Sequence, residues 1–149
     1  MKLVSRQQGF LKAQVPKERW VVGSIQTAAG SIPQIKTVLD WKDRLGAYQV
    51  RWGMNRMGYK VNPGLYAVGN PGPGSPVLVS ANYKLTFDRV RKNLSGLDVW
   101  LLILDTRGVN VWCAAGKGTF GTKELVNRIK KTALEKVVSH RQQIGRAHV

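Results

Sequence analysis

One apolar stretch decides the fold: VWLLIL, at Val99–Leu104. Every residue in it is apolar, so apolar and polar side chains do not alternate along it. A strand with this composition is typical of the centre of a sheet whose two faces are both covered. The sequence therefore predicts that Val99–Leu104 is a central strand and that the rest of the chain packs around it.

A second strand and a helix precede this stretch. Val77–Ala81 has the composition of a buried strand, and Thr86–Leu94 carries its apolar residues at helical spacing. Thr86 suits the N-cap position of that helix. Two strands joined by a helix form a βαβ unit, so the sequence predicts an α/β fold with a mostly parallel sheet.

The remaining segments carry weaker signals. Glycine and proline mark turns and loops, whereas short apolar runs indicate strands. We expect strands at Trp20–Ile25 and Leu65–Val68, a loop at Gly69–Pro76, a helix that begins at Thr122, and a further strand that begins at Val137-Val138.

Composition limits the possible functions. The chain has 149 residues, 24 Lys and Arg against 8 Asp and Glu, and a net charge of +16. Such an excess favours an anionic partner: nucleic acid, an anionic membrane surface, an acidic protein or a phosphorylated cofactor. One cysteine and two histidines are too few for a closed structural zinc site, and nothing requires a disulfide. We expect a cytoplasmic protein.

The single cysteine, Cys113, follows the central strand by a few residues. In open α/β sheets, ligands bind in the loops beyond the carboxyl ends of the strands. A lone cysteine is by default a small buried apolar residue. However, the small residues Ala114-Ala115-Gly116 leave room for a bulky, flat partner, and a helix start at Trp112 would favour a thiolate. From the residues alone, both a packing role and a cofactor-ligand role stay open, and a nucleophile pair with His140 is formally possible.

One motif carries a family resemblance. The segment Asn110–Lys117, NVWCAAGK, resembles the cap-helix motif of the corrinoid protein of bacterial and archaeal mercury methylation. The likeness continues through Gly118–Thr122 and reaches back through Ser75–Leu85 and Pro63–Ala67, so that about residues 20–141 are covered.

The resemblance implies a fold and a cofactor. It implies a Rossmann-like, mostly parallel cobalamin-binding domain with helices on both faces and a cap helix that carries the cysteine, similar to the corrinoid iron–sulfur protein of acetyl-CoA metabolism. It also implies that Cys113 is the lower axial ligand of cobalt through its thiolate. Such a ligand raises the electron density on the metal. The implied cofactor-binding residues are Asn110, Val111, Trp112, Cys113, Ala114, Ala115, Gly116, Lys117 and Thr119.

The resemblance also implies substrates and partners. The family takes a methyl group from a methylated folate pathway and transfers it to Hg(II), and a ferredoxin-like iron–sulfur protein reduces the cobalt. Two alternatives remain. A corrinoid methyl carrier of the acetyl-CoA pathway is disfavoured by the thiol, since that relative is not expected to have a cysteine there. A basic nucleic-acid-binding module would bind phosphates through its charge, although no nucleic acid is expected.

The chain also divides into segments. Residues 1–19 form a basic lead-in, residues 20–141 form the cobalamin-binding domain, and residues 142–149 form a tail in which Gln143–Val149 resembles a translated sequencing adapter. Members of the mercury-methylation family continue into a carboxy-terminal domain that attaches them to the inner face of the cytoplasmic membrane. We therefore expect that the natural protein is truncated near Arg141 and that residues 142–149 are not native.

Overall fold

The computed structural model describes residues 18–39, 60–107 and 121–145. The predicted lead-in therefore lies outside the described residues except for Glu18 and Arg19. The described residues form the following elements: β1 (Val21–Thr27), β2 (Gly30–Ile35), β3 (Gly64–Val68), β4 (Val77–Ala81), α1 (Lys84–Asn93), β5 (Val99–Leu104), α2 (Thr122–Thr132), a 3-10 turn (Leu134–Lys136) and β6 (Gln143–Gly145). In these three ranges no helix is long and apolar enough to span a bilayer.

The described strands form one mixed sheet in the order β1-β2-β3-β5-β4-β6. Strands β4 and β5 pair in parallel, and α1 connects them, which confirms the predicted βαβ unit and the α/β class. The prediction of a mostly parallel sheet is not confirmed, because β1 pairs antiparallel with β2 and β3 pairs antiparallel with β5. The first of these pairs is a hairpin, whose short turn permits only the antiparallel direction.

Strand β5 is the central strand that the sequence predicts. All six of its residues are buried. Its side chains alternate between two apolar clusters: one also contains Phe87 of α1 and Leu94, the C-cap residue of that helix, and Leu125 and Ile129 of α2 pack against the other. Each large apolar side chain buried in this way stabilises the fold by about 1.5–3 kcal/mol. Helical cover along both whole faces stays a prediction.

Helix α1 begins earlier than predicted. Its N-cap is Tyr83 rather than Thr86, and the backbone N–H of Phe87 donates to the Tyr83 carbonyl at 2.9 Å. The cause is a buried ion pair: the ammonium of Lys84 lies 2.6 Å from both carboxylate oxygens of Asp88, one helical turn further on. That pairing holds Lys84 inside the helix, so the prediction of Thr86 as the N-cap is wrong.

The ion pair belongs to a larger buried charge cluster. Arg91 is fully buried and donates from Nε to Asp88 at 3.0 Å and from Nη1 to the Lys36 carbonyl at 2.9 Å. The ammonium of Lys84 also lies 4.9 Å from the ring centroid of Trp20. These contacts join α1 to the chain that follows β2 and precedes β1.

The loop at Gly69–Pro76 is confirmed, and two neighbours anchor it. Trp100 of β5 donates from its indole N–H to the Gly72 carbonyl at 2.9 Å. The backbone N–H of Ser139 donates to the Pro73 carbonyl, also at 2.9 Å. The loop is therefore held against the amino end of β4 by contacts from both the sheet and the carboxy-terminal segment.

The chain after α2 differs from the prediction. Helix α2 begins at Thr122 as expected and ends at Thr132, and its C-cap residue Ala133 has a left-handed φ of 50°. Val137 and Val138 are buried, but they follow the 3-10 turn and bond locally to the Leu134 carbonyl, so the predicted strand there is wrong. The strand lies instead at Gln143–Gly145, where it pairs in parallel with β4. Strand pairing of this kind is made by backbone groups, so it does not depend on which side chains the segment carries. The non-native origin of residues 142–149 therefore stays a prediction.

Candidate functional site

The predicted site residues lie outside the described part of the chain. This applies to Asn110, Val111, Trp112, Cys113, Ala114, Ala115, Gly116, Lys117 and Thr119, and thus also to the predicted cap helix. The described chain stops at Arg107 and resumes at Gly121.

A polar cluster lies at the carboxyl ends of the two parallel strands β4 and β5. Parallel strands end at the same edge of a sheet, and this edge is where open α/β folds bind ligands. One member follows β4, two follow β5, and two lie in the first two turns of α2. We call this group the edge cluster; it consists of Asn82, Asp105, Thr106, Glu124 and Arg128.

The first half of the edge cluster joins the two strand ends. The side-chain oxygen of Asn82 accepts hydrogen bonds from the backbone N–H of Thr106 at 3.0 Å and from its hydroxyl at 2.9 Å. Both residues are buried. The amide nitrogen of Asn82 donates to Asp105 Oδ1 at 3.5 Å, which orients the amide group. Buried polar groups that are paired in this way hold the two strand ends in one arrangement.

The second half joins the end of β5 to the start of α2. The backbone N–H of Asp105 donates to Glu124 Oε1 at 3.0 Å. Arg128 donates to the same oxygen from Nε at 3.0 Å and from Nη2 at 2.9 Å. Burial raises the pKa of the Glu124 carboxyl, but the bonds from Asp105, Arg128 and Asn127 outweigh this, so its pKa lies below the ordinary value of 4.5. Glu124 is therefore ionised at neutral pH.

The direction in which the chain leaves the sheet is also set locally. Asp105 Oδ1 accepts a hydrogen bond from the backbone N–H of Arg107 at 3.0 Å. Arg107 has a left-handed φ of 57°, which is costly for a residue with a side chain. An Asp side chain that captures the N–H two residues later stabilises such a turn.

His140 lies at the other end of β4. Its Nε2 is 2.7 Å from the Ser75 carbonyl, just before the strand, and its Nδ1 accepts from the backbone N–H of Gln142 at 3.2 Å. Because Nδ1 accepts, Nε2 carries the proton. Both ring nitrogens thus anchor the carboxy-terminal segment, and the described contacts lend no support to a pairing with Cys113.

The donor chemistry of the chain is compatible with a corrinoid. In the described ranges, no group of three or more His, Cys, Asp or Glu side chains is placed to hold a metal ion. A corrin ring itself supplies the equatorial nitrogens of its cobalt, so the protein needs to supply at most one axial ligand. The single thiol of this chain is a soft donor of the kind that such a position accepts.

Sequence reasoning did not select the edge cluster. A usable signal was present, since Asn82 and Asp105-Thr106 each come directly after a predicted strand of the βαβ unit. Polar residues at those positions meet at one edge of a sheet. No local pattern indicates Glu124 or Arg128, because their partner Asp105 is far away in the sequence.

The βαβ unit places the chain in the α/β class of folds, and its polar edge lies where open α/β sheets bind their ligands. Comparison with known families identifies the family: the family model for the CO dehydrogenase/acetyl-CoA synthase delta subunit matches residues 48–144, more than half of the chain. The chain belongs to this family. The match covers β3 to β6 as well as the segment that carries Cys113.

Individual relatives support the same family. Subunit gamma of the acetyl-CoA decarbonylase/synthase complex of Archaeoglobus fulgidus is 37% identical over 84 residues, which cover 55% of this chain and 18% of that protein. The subunit of Methanopyrus kandleri is 39% identical over 84 residues, with the same coverage of 55% and 18%. The subunit of Methanocaldococcus jannaschii is 37% identical over 83 residues, 54% of this chain and 17% of that protein.

These relatives support part of the predicted resemblance. They confirm the relation to the corrinoid proteins of acetyl-CoA metabolism, while none of their names concerns mercury. The chain spans less than a fifth of the length of each of these relatives.

Proposed function

We propose that this chain binds a corrinoid at the carboxyl edge of β4 and β5 and takes part in transfer of a methyl group carried on the cobalt. The family match carries this proposal, because it spans both the βαβ unit and the segment that follows the edge cluster. The edge cluster supports it by holding the ends of β4, β5 and α2 together at the edge where such folds bind ligands.

Within this proposal, the thiolate of Cys113 would supply a ligand to the cobalt and the neighbouring residues would support the corrin. The cofactor, when bound, would supply a cobalt centre that carries the methyl group. The small residues Ala114, Ala115 and Gly116 would give the ring room to approach the backbone, and Trp112 would contribute to the same surface. Asn110, Val111, Lys117 and Thr119 complete the proposed contacts.

The relatives support one methyl acceptor. Because they are subunits of the acetyl-CoA decarbonylase/synthase complex, the favoured acceptor is a metal cluster in a partner subunit of such a complex. With this acceptor, the whole protein to which the chain belongs is a corrinoid methyl carrier of the acetyl-CoA pathway. It works with other protein subunits, a methylated folate as methyl donor and an iron–sulfur protein as reductant.

A specific observation favours a second acceptor, Hg(II). The thiol of Cys113 lies in the motif Asn110–Lys117, whose resemblance is to the mercury-methylation proteins. As a soft anionic donor to the cobalt, the thiolate of Cys113 would favour transfer of the methyl group to Hg(II). Under this reading the ferredoxin-like reductant and the methylated folate are unchanged, and the parent protein acts at the inner face of the cytoplasmic membrane.

One experiment tests the proposal and separates the two acceptors. The purified chain is mixed with methylcobalamin, passed through gel filtration, and the retained cobalamin is measured. Co-elution supports the proposal, and loss of all cobalamin contradicts it. The loaded chain is then offered Hg(II) or acetyl-CoA synthase with its metal cluster. Methylmercury formation that disappears in Cys113→Ala selects the second acceptor, and methyl transfer to the cluster alone selects the first.

A further inference from the structure

A cleft lies between the end of α2, the 3-10 turn and the carboxy-terminal segment. Its volume is about 330 Å³, which is within the range of small-molecule sites. His140 lines it and bonds to the Ser75 carbonyl, just before β4, so the cleft lies at the opposite end of β4 from the edge cluster. Its lining residues lie between Ile129 and Arg141 except for Gln143, so the cleft is built mainly by the chain that precedes the predicted non-native tail.

The floor of the cleft is apolar and continuous with the core. It consists of Ile129, Leu134 and Val138. Leu134 and Val138 belong to the same apolar cluster as Trp100 and Leu102 of β5, and Ile129 packs against that cluster. A ligand that covers this floor takes apolar surface out of water, which favours binding.

The walls of the cleft are fixed by local contacts. The left-handed φ of 50° at Ala133 turns the chain from α2 directly into the 3-10 turn. The backbone N–H of Val138 then donates to the Leu134 carbonyl at 3.1 Å, and His140 Nε2 lies 2.7 Å from the Ser75 carbonyl. The cleft is thus formed before any ligand binds, which lowers the entropy cost of binding.

Two opposite charges lie at the rim of the cleft. Glu135 and Arg141 both line it, and both residues are exposed to solvent. Among residues 18–39, 60–107 and 121–145, neither side chain has a hydrogen-bond or ion-pair partner, and the two do not pair with each other. The Gln143 amide, which offers both a donor and an acceptor, is a third polar group of the lining. One free anion and one free cation therefore lie beside an apolar floor.

We propose that this cleft binds a free α-amino acid with an apolar side chain, such as leucine. The ligand carboxylate pairs with the guanidinium of Arg141, whose planar shape suits such an anion. The ligand ammonium pairs with the carboxylate of Glu135, and the apolar side chain covers the floor. A monocarboxylate or a monoamine leaves one of the two rim charges without a partner, and an internal residue of a peptide carries neither charge. The proposal is separate from corrinoid binding, because the edge cluster lies at the other end of β4.

Titration of the isotope-labelled chain with L-leucine, followed through its backbone amide signals in NMR spectra, tests the proposal. The signals of Leu134, Val138 and His140 are expected to shift and to saturate with a Kd of about 1 mM, as expected of a ligand this small. Isocaproate, which lacks the ammonium, and isoamylamine, which lacks the carboxylate, are expected to bind about fivefold more weakly, because both rim charges are exposed. Glycine, which lacks the apolar side chain, is expected to bind about tenfold more weakly. The absence of a saturable shift with L-leucine contradicts the proposal, as does equal binding of leucine and glycine.

Two variants assign the rim charges to the ligand groups. Arg141→Gln is expected to weaken the binding of leucine and isocaproate by about fivefold and to leave that of isoamylamine unchanged. Glu135→Gln is expected to weaken the binding of leucine and isoamylamine by about fivefold and to leave that of isocaproate unchanged. The matched control is Lys136→Gln, at an exposed position that does not line the cleft, and it is expected to bind all three ligands as the wild type does.

The same amide spectra show whether each variant is folded. Equal losses for all three ligands in Arg141→Gln or in Glu135→Gln overturn the proposal, because the rim charges then do not contact separate ligand groups. A comparable loss in Lys136→Gln also overturns it, because the effect then comes from the net charge of the surface.

Discussion

The side-chain oxygen of Asn82 accepts two hydrogen bonds from Thr106, one from its backbone N–H at 3.0 Å and one from its hydroxyl at 2.9 Å. Asn82 follows β4 and Thr106 follows β5, so this pair fixes the carboxyl ends of two neighbouring parallel strands. Both residues are nearly inaccessible to solvent, at 2% and 0% exposure. Water cannot replace a partner that is lost there.

Asn82→Ala is therefore expected to destabilise the chain. The substitution leaves a buried N–H and a buried hydroxyl of Thr106 without their acceptor, at a cost of about 2 kcal/mol. Urea unfolding followed by circular dichroism measures the change. Asn93→Ala, at an exposed asparagine that ends α1, is the control and is expected to change the stability by less than about 0.5 kcal/mol. Equal unfolding midpoints for Asn82→Ala and the wild type would show that the pair is not structural.

Gly69→Ala is expected to be costly where Gly72→Ala is not. Gly69 has a φ of +67°, and an added Cβ would meet Asp98 Oδ1 and lie 2.6 Å from the Leu97 carbonyl. The left-handed backbone and the overlap together predict a loss of about 3 kcal/mol. Gly72 lies in the same loop, and its added Cβ would meet nothing within 4 Å. Thermal unfolding of the two variants decides the point, and a similar Tm for both contradicts it.

The buried charge cluster predicts a large effect of Asp88→Ala. This change removes the carboxylate that Lys84 and Arg91 share within α1, and both cations are buried. Removal of one partner from a buried ion pair costs about 3–5 kcal/mol. Lys92→Ala, at an exposed position on the same helix, is the control and is expected to stay close to the wild type. A loss of under about 1 kcal/mol for Asp88→Ala contradicts the prediction.

Glu124 gives the stability a defined pH dependence. Its pKa is lower in the folded chain than the ordinary value of 4.5, because the bonds from Asp105 and Arg128 outweigh its burial. The unfolded chain thus binds the proton more tightly, and the stabilisation is present above about pH 4.5 and is lost as the pH falls through the folded value.

A comparison of Glu124→Gln with the wild type measures this contribution. The variant is expected to be less stable at pH 7 by up to about 1 kcal/mol, since the carboxylate is only partly buried. The difference should shrink as the pH falls below 4.5 and through the lower pKa that Glu124 has in the folded chain. Urea unfolding at a series of pH values provides the data. A difference that grows toward acid pH would mean that the sign of the shift is wrong.

The sequence predicts the elements whose signal is local. The apolar runs at Val77–Ala81 and Val99–Leu104 identify β4 and β5, because a buried strand requires little beyond apolar side chains. Lys84 is missed because its place inside α1 depends on Asp88, whose carboxylate neutralises and bonds it and also pairs with Arg91. The sequence predicts no strand at Gly30–Ile35, where β2 lies, because Pro33 has no backbone N–H and is typical of a break in a strand.

The candidate site also has a part with a local sequence signal and a part without one. The motif that contains Cys113 is recognised from the sequence, and it lies outside the described residues. The edge cluster is the reverse case: its geometry is clear, but the bond of Asp105 to Glu124 joins residues that no local pattern connects. Contacts between distant residues follow from the packing of α2 against the sheet, which no single segment encodes.

The central claim is that this chain binds a corrinoid with Cys113 as its axial ligand, and the absorption spectrum of added cobalamin tests it most directly. The account predicts that the wild-type chain shifts the spectrum to that of thiolate-ligated cobalt. It also predicts that Cys113→Ala abolishes the shift and that Cys113→His replaces it with an imidazole-ligated spectrum. An unchanged spectrum with the wild-type chain, or the same shift in Cys113→Ala, would contradict the account.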